Sequence, residues 1–293
     1  MSITKCKICS SDNIEKVFKS FNTHGKHIID MQERFQVCRC KDCSLVFLDS
    51  VVVNSEYYSK YYQESYYRGD KVGSGPMQLF LNVLSRFSTN RKKKVILKTV
   101  DRKKGKISIL DVGCGTGGFL ESLKDSRFDK YGCEVSKDGF EVCISKGLNV
   151  YRGDVCDVDF KGRKFDVVTL WHVLEHTENP KKVFSKIWEI LSDDGVLIFQ
   201  VPNTDSLGFR IGKEYWFHMD SPRHLNLFST KSVKKLCSLT GFKIIDVKYE
   251  FYDFPLDLFW SVRKSKFKFF IYPFYLIFKA FSREHVTFIC KKK

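Results

Sequence analysis

Closely spaced glycines mark the stretch of this chain that is best suited to bind a ligand. Four glycines stand within six positions in the string Asp111-Val112-Gly113-Cys114-Gly115-Thr116-Gly117-Gly118. An apolar run at 107–110 precedes them as a candidate strand, and 119–123 follows as a candidate helix. Glycines at such a junction let the backbone turn tightly and approach a ligand where a Cβ atom would clash. The pattern is typical of a nucleotide-binding turn.

Two acidic residues restrict the kind of nucleotide. Glu134 follows Gly115 by nineteen positions, at the end of a second strand-like run, where a carboxylate accepts both ribose hydroxyls. Asp111 stands just before the glycines, and its carboxylate would repel a pyrophosphate but attract an α-amino group. The string closely resembles motif I of class I S-adenosylmethionine (SAM) methyltransferases. The resemblance implies SAM as the cofactor, with contacts at Asp111, Gly113, Cys114, Gly115, Gly117 and Glu134.

The resemblance continues after the next two candidate strands. Gly153-Asp154-Val155 follows the third strand; in this family an acid there meets the adenine amino group, and the next backbone amide meets the ring. The string Trp171-His172 after the fourth strand resembles the loop that borders SAM in small-molecule methyltransferases. The implied cofactor contacts are therefore Asp154, Val155, Trp171 and His172, and Glu175 and His176 of the same loop are expected to bind the substrate.

The same loop also matches a metal-binding signature. His172-Val173-Leu174-Glu175-His176 has the spacing of an inverted zinc-peptidase motif, which requires a helix interior. Here an apolar strand runs directly into the motif and Asn179-Pro180 follows, so the peptidase interpretation fails. A divalent ion held by Glu175 and His176, as in some quinone O-methyltransferases, stays open.

A later loop carries the candidate substrate side. Pro222-Arg223-His224-Leu225 resembles a branch of the family that pairs an N-terminal four-cysteine module with this core, and includes deoxysugar C- and O-methyltransferases. Sugar hydroxyls and enolisable carbons are weak acids, so transfer needs an aligned acceptor and a base. Histidine suits this role because its pKa is near neutrality. His224 is the first candidate base and His172 the second, while Arg223, through an anionic group, and Trp216 are expected to bind substrate.

Cysteine spacing predicts a metal site in the first fifty residues. Two C-x2-C pairs about thirty residues apart make a ribbon-type site with four thiolates around Zn(II), and the predicted ligands are Cys6, Cys9, Cys40 and Cys43. Cys38 is left over. Four thiolates leave no open coordination position, so the zinc is expected to stabilise a module too small to fold alone.

Positive charge is concentrated in two segments. The chain has 293 residues and a formal net charge of +16. Segments 91–106 and 260–293 each hold nine Lys/Arg and one acidic residue, so each contributes +8 and together they account for the whole excess. Clustered charge suits nucleic acid, phospholipid or a phosphorylated substrate, or simply aids solubility. Eleven cysteines without an apolar leader predict a reducing, cytoplasmic location.

The elements that position these residues alternate between strand and helix. Strands are predicted at 107–112, 130–135, 148–151, 165–171, 196–201, 243–250 and 285–290, and helices at 77–100, 117–126, 137–146 and 179–192, with Gly195 as a turn after the last. This order predicts an α/β, Rossmann-like seven-stranded sheet. In the resembling family the last strand inserts antiparallel between its neighbours. The predicted division is a zinc ribbon at 1–50, a helical linker at 51–106 and a SAM-binding core at 107–293.

Aromatic residues raise two open questions. The core holds an aromatic insert at 255–283, whose apolar run at 269–278 is shorter than the roughly 20 residues needed to span a bilayer. Segment 267–281 is expected either to lie in a membrane interface, which would place the protein on the inner face of the membrane, or to pack on the sheet or a second subunit. Three tyrosine pairs (57–58, 61–62 and 66–67) either line a substrate cleft or pack two domains together.

The leading functional prediction is a SAM-dependent methyltransferase acting on a nucleotide- or lipid-linked sugar in surface polysaccharide synthesis. An rRNA or tRNA base methyltransferase is one alternative, because some such enzymes carry a four-cysteine module. Trp171-His172-Val173-Leu174 speaks against nucleic acid, since base N-methylases often carry an Asn-Pro-Pro-Tyr-like string there. A quinone-type O-methyltransferase and a non-catalytic membrane-associated scaffold that retains the fold are further alternatives.

Overall fold

A computed structural model describes residues 5–22, 33–62, 76–100, 105–250 and 254–293. The strands are β1 Ile14–Ser20, β2 Phe35–Cys40, β3 Val46–Leu48, β4 Ile107–Val112, β5 Phe128–Glu134, β6 Asn149–Arg152, β7 Phe165–Trp171, β8 Leu191–Pro202, β9 Asn226–Leu227, β10 Phe242–Glu250 and β11 His285–Lys292. The α-helices are α1 Ser55–Tyr61, α2 Pro76–Val100, α3 Gly118–Ser122, α4 Lys137–Ser145, α5 Pro180–Ile190, α6 Leu207–Gly212, α7 Thr230–Leu239, α8 Asp257–Val262, α9 Lys268–Ile271 and α10 Tyr275–Ser282.

The larger sheet has seven strands in the order β10-β11-β8-β7-β4-β5-β6. Strands β4, β5, β6, β7 and β8 pair in parallel, and β11 pairs antiparallel with both β10 and β8. Apolar runs such as Ile107–Val112 are buried on both faces, as expected for a parallel sheet covered by helices. The predicted Rossmann-like fold is confirmed, and so is the antiparallel insertion of the last strand.

The predicted ends of two helices are wrong. Helix α3 ends at Ser122, four residues before the predicted end. Helix α5 begins at Pro180, after Asn179 caps it by accepting a hydrogen bond from the Lys182 backbone N–H. It ends at Ile190, two residues before the predicted end, and β8 starts at once with Leu191 paired to Phe165. The register then shifts before the next pair, so Gly195 lies in an irregular part of the strand. The sequence Ser192-Asp193-Asp194-Gly195 resembles a turn locally, but pairing with β7 extends the strand through it.

The smaller sheet joins the N-terminal module to the core. Its order is β1-β2-β3-β9, and β9 comes from the loop that follows the fifth strand of the core. Polar contacts reinforce this junction: the Ser20 and Ser221 hydroxyls lie 2.6 Å apart, and the Asn22 amide donates to the Ser221 carbonyl. The first fifty residues therefore share a sheet with residues 226–227, while the division into three domains stays a prediction.

The aromatic insert folds into the short helices α8, α9 and α10 between the last two strands. Ile271 and Leu258 are buried in a small apolar cluster with Val262. Within the described ranges, none of the helices combines the length and the apolar character needed to cross a membrane.

Candidate functional site

A cavity of about 700 Å³ opens at the carboxyl ends of β4, β5, β6 and β7. Its size is within the usual range for small-molecule sites, and its position is where ligands bind in open α/β sheets. Predicted site residues that line it are Gly113, Gly115, Glu134, Asp154, Val155, His172 and His176. Four strand ends, those of β4, β5, β6 and β7, thus deliver the predicted residues to one place.

The glycine turn has the shape that only glycine tolerates. Gly113 has φ 66°, and a Cβ atom there would lie 2.5 Å from Cγ2 of Val173. Gly117 has φ 77°, and a Cβ atom would lie 2.3 Å from Cδ1 of Leu148. Both positions therefore exclude a side chain through backbone conformation and through contact. Gly113 forms the cavity wall, whereas Gly117 supports the turn from behind.

Two carboxylates stand on the rim of the cavity, on the same side as the glycine turn, in fixed positions. Glu134 accepts hydrogen bonds from the backbone N–H groups of Gly115, at 2.7 Å, and Ser136, at 2.8 Å. Asp154 accepts from the backbone N–H of Cys156 at 2.8 Å. Backbone donors orient each side chain without a neutralising cation, so both acids present acceptor oxygens to a ligand.

Three predicted cofactor residues at the glycine turn do not line the cavity. Asp111 is buried behind the turn and accepts a hydrogen bond from the Thr169 hydroxyl at 2.6 Å. Burial raises the pKa of its carboxyl to about 7. Cys114 is also buried, and burial raises its thiol pKa. These residues, like Gly117, support the turn, and direct contact of Asp111, Cys114 and Gly117 with a cofactor stays a prediction.

Trp171 is placed differently from the prediction. Its ring packs edge-on against Phe119, with a centroid distance of 5.6 Å, and Lys92 of α2 lies over its face at 4.9 Å. The ring is part of neither the cavity wall nor the histidine group. Successive side chains of a strand point to opposite faces, so the end of β7 can send Trp171 toward α2 and leave His172 at the cavity.

Two histidines, His172 and His176, line another part of the cavity, and Glu175 and His224 are buried behind them; we call this group the histidine wall. Nδ1 of His172 lies 3.3 Å from Oε1 of Glu175, and Nδ1 of His224 lies 2.7 Å from the His218 carbonyl oxygen. Nδ1 of His176 lies 3.1 Å from the Arg223 carbonyl. Because carbonyls and carboxylates only accept, each Nδ1 carries the proton and each Nε2 is left as an acceptor.

The backbone at this wall is strained. His172 has φ 57°, which side-chain-bearing residues adopt rarely. Strained residues concentrate at functional sites because the surrounding structure must hold them in place. His172 is also the candidate base that lines the cavity, whereas His224 lies behind His176, with ring centroids 4.7 Å apart.

Electrostatics keep this wall partly anionic. Burial by itself would raise the pKa of the Glu175 carboxyl, but the hydrogen bond from His172 and the adjacent imidazoles lower it to about 2. Burial lowers the pKa of His176 to about 4, and it also lowers the pKa of His224. At neutral pH the ionised carboxylate of Glu175 therefore stands beside the neutral imidazoles of His176 and His224. Donor atoms of Glu175, His176 and His224 all lie within 4.8 Å of one another, and such a set suits a divalent metal ion.

Two predicted substrate residues have structural partners instead. Arg223 is 5% exposed and forms a two-point ion pair with Asp220, with Nη2 2.6 Å from Oδ1 and Nε 3.0 Å from Oδ2. Trp216 is fully buried and donates from Nε1 to Oε2 of Glu284 at 2.7 Å. The loop folds inward, so the tertiary structure uses the charge of Arg223 and the ring of Trp216 for packing. Neither side chain reaches the cavity wall.

The four predicted zinc ligands converge. Sγ of Cys6 lies 3.5 Å from Sγ of Cys43, Sγ of Cys9 lies 3.5 Å from Sγ of Cys40, and all four sulfurs lie within 4.8 Å of one another. Sulfurs bonded at about 2.3 Å to one tetrahedral zinc would stand a little under 4 Å apart, so the group fits the ion. A hydrogen bond from Cys43 lowers the pKa of Cys6 to about 5. Cys38 is buried outside the group, as expected for a leftover thiol.

Further residues near the cavity were not among the predicted site residues. Tyr62 lines the cavity with its hydroxyl 3.0 Å from Nδ1 of His176, and the tyrosine pairs were the only sequence signal for it. Asp257 contacts both His218 and His285 at 3.3 Å, yet these three residues are scattered over the chain without a motif. Tyr57 donates to the Pro222 carbonyl and so packs helix α1 on the core; Tyr66 and Tyr67 lie outside the described residues.

Comparison with known proteins identifies the family of the chain. The family model described as "Methyltransferase domain" matches residues 84–247. A ubiquinone biosynthesis O-methyltransferase of Glaesserella parasuis is 29% identical over 125 residues, which cover 38% of this chain and 53% of that protein. An uncharacterized protein of Methanocaldococcus jannaschii is 29% identical over 136 residues, 46% of this chain and 64% of that protein. The chain thus matches about half to two thirds of the length of these relatives.

Solved structures share the fold. Magnesium protoporphyrin IX methyltransferase from Synechocystis PCC 6803 with bound SAH has a TM-score of 0.54 and 15% identity, covering 81% of this chain and 97% of that one. A SAM dependent methyltransferase from Archaeoglobus fulgidus has a TM-score of 0.50 and 22% identity, covering 73% and 99%. At such identities the likeness concerns the fold alone. The family model, however, spans more than half of the chain and includes the glycine turn, both acidic rim residues and the histidine loop; the chain belongs to the methyltransferase-domain family.

Proposed function

We propose that this protein transfers a methyl group from SAM to a hydroxyl or enolisable carbon of a small acceptor, and that the acceptor is a nucleotide- or lipid-linked sugar. The observation that carries the proposal is one cavity with a glycine turn and two oriented carboxylates on one side and acceptor histidines on the other. The sugar is favoured by the loop 222–225 together with the four-cysteine group.

The cofactor would lie across the glycine turn. Glu134 would accept from the ribose hydroxyls and Asp154 from the adenine amino group, since both carboxylates already face the cavity. The amino acid end of SAM would then lie near Gly113, in front of the buried Asp111. A cation at that point would favour the ionised form of Asp111, whose pKa is raised by burial.

Methyl transfer from a sulfonium needs alignment and a proton acceptor. The new bond to the methyl carbon forms as the carbon–sulfur bond breaks, the electron pair stays on sulfur, and the acceptor loses its proton. His172 would take that proton at Nε2, because Glu175 holds its Nδ1–H, and a carboxylate partner stabilises the imidazolium that results. Among the described residues, Nε2 of His172 is buried and has no hydrogen-bond partner, so the acceptor would have to enter the site closely enough to reach it. His224 would act one ring further away, next to His176.

Zinc would have a structural role. Cys6, Cys9, Cys40 and Cys43 would hold Zn(II) at one end of the small sheet. Full coordination by thiolates leaves no position for a substrate. The ion would stabilise strands that pair with β9, and β9 directly follows the loop that holds His224.

A second candidate is a quinone-type O-methyltransferase. Two observations favour it: a relative carries the name ubiquinone biosynthesis O-methyltransferase, and Glu175, His176 and His224 have converging donor atoms. Oε2 of Glu175 is buried without a hydrogen-bond partner in the described part of the chain. A divalent ion there would satisfy this oxygen and orient a phenolic oxygen for transfer.

One experiment separates these proposals. The purified protein would be incubated with methyl-labelled SAM and with nucleotide-sugar, lipid and RNA fractions of a cell lysate, with and without EDTA. Label in a sugar, resistant to EDTA, supports the leading proposal. EDTA-sensitive label in a phenolic lipid supports the second, and label in RNA contradicts both. If calorimetry shows no SAM binding at millimolar concentration, the proposal of an enzyme is wrong and the scaffold alternative remains.

A further inference from the structure

The aromatic insert presents an unusually large apolar surface. Six of its large apolar side chains are at least 60% exposed, and we call them the apolar face: Phe267, Phe269, Phe270, Leu276, Ile277 and Phe281. Monomeric soluble proteins rarely expose contiguous apolar patches of more than a few hundred Å². Aromatic contacts such as Phe270–Phe278, at 5.4 Å between centroids, hold the short helices together, so this arrangement is ordered.

Helix α10 has its polarity inverted. Leu276, Ile277 and Phe281 point outward, whereas Lys279 is buried and its Nζ lies 2.5 Å from Oδ1 of Asp257. Burying an ion pair costs desolvation free energy, and a helix of a water-soluble surface normally buries its apolar stripe instead. The charged contact anchors the helix to the protein, and the apolar stripe is left for an apolar environment outside the chain.

Basic residues flank the apolar face. Segment 258–283 contains six Lys/Arg and no Asp or Glu. Lys264 and Lys266 are exposed, and Nζ of Lys268 lies over the ring of Phe269 at 5.0 Å. In a symmetric contact between two copies these like charges would oppose one another. They are complementary to the phosphates of an anionic bilayer surface.

We infer that the insert is a membrane-docking surface for anionic phospholipid. The apolar face enters the boundary between headgroups and acyl chains, and the lysines contact phosphates, as interfacial helices do. Phe254, the residue before the insert, is 39% exposed, and its ring lies 5.7 Å from that of His172 between centroids. This inference does not depend on which acceptor is methylated.

Vesicle co-sedimentation of the full-length protein tests it. We expect binding to phosphatidylcholine vesicles that contain phosphatidylglycerol, much weaker binding to phosphatidylcholine alone, and weakening with salt. The double variant Phe269→Ser, Phe281→Ser should lower partitioning at least about 100-fold. Both side chains are 76% exposed, so the fold should survive, which unchanged SAM affinity and melting temperature would confirm.

Two further variants complete the test. Lys264→Gln, Lys266→Gln should lower binding to the anionic vesicles about 25-fold, at about fivefold per lysine. The control Ile144→Ser removes a half-exposed apolar side chain of α4 and should change nothing. Equal binding by the Phe variant and the control would overturn the inference. A second result would also overturn it: light scattering shows that the wild-type protein is a dimer without vesicles, the Phe variant is a monomer, and the wild-type protein does not bind the vesicles.

Discussion

The two walls of the cavity differ in how the chain builds them. The glycine turn, Glu134 and Asp154 come from the continuous stretch 111–155, and each is oriented mostly by backbone groups. The histidine wall draws on four separate segments, with Tyr62, the loop 172–176, the loop 218–224 and the stretch 254–285 in contact. A ligand common to a family suits a wall made by local backbone geometry, whereas a wall assembled from distant side chains can change with the acceptor.

The largest expected effect is on the histidine wall. His172→Gln should lower the rate of methyl transfer about 10²–10⁴-fold, because it removes the proton acceptor, while SAM affinity changes little. His224→Gln should cost less if its ring acts only through His176. Single-turnover rates and calorimetric SAM binding would be measured for both variants. A larger loss with His224→Gln would return the role of base to His224.

Zinc coordination gives the second largest expected effect. Cys40→Ser should remove bound zinc and lower the melting temperature by about 10 °C, because the free energy of metal binding would contribute to folding. Cys38→Ser is the matched control, since Cys38 is also a buried thiol of β2 but lies outside the four-sulfur group. Metal analysis and calorimetry check this prediction. Similar melting and metal content in the two variants would rule out the zinc site.

The glycine turn gives a smaller effect on a different property. Gly113→Ala should weaken SAM binding about tenfold to 100-fold, since strain at such positions is of order 1–3 kcal/mol. The added Cβ would also displace Val173, at 2.5 Å. Gly147→Ala is the control, because Gly147 has φ 71° with nothing within 4 Å. Equal SAM affinity in both variants would show that the turn does not hold the cofactor.

The last prediction concerns the dependence of stability on pH. Burial lowers the pKa of His218 to about 3 and that of His176 to about 4. The native state therefore keeps both neutral, while the unfolded chain binds protons below about pH 6.5. The free energy of unfolding should fall as the pH falls from about 6.5 to about 4, by about 1 kcal/mol per histidine and pH unit. Urea unfolding of His218→Gln should show a shallower slope, and an unchanged slope would exclude this contribution.

Local patterns determined most of the fold and the cofactor wall. Alternating strands and helices, the glycines and the two C-x2-C pairs act over short stretches of chain, so spacing alone predicted the seven-stranded sheet, the turn at Gly113 and the convergence of four thiols. The predicted end of α5 was wrong because pairing with β7 extends β8 through a turn-like sequence.

Only the tertiary structure decided which of the candidate substrate residues line the cavity. Arg223 and Trp216 have the right chemistry to bind substrate. In the folded structure, however, Arg223 is paired with Asp220, and Trp216 donates its hydrogen bond to Glu284. Asp257 contacts both His218 and His285, and these three residues lie too far apart in the sequence for a motif to link them. Side-chain direction depends on how the loops pack on the sheet, and that packing free energy is shared among distant residues. The chain alone therefore determined the glycine turn and the four-cysteine group, and the folded structure selected the side chains of the histidine wall.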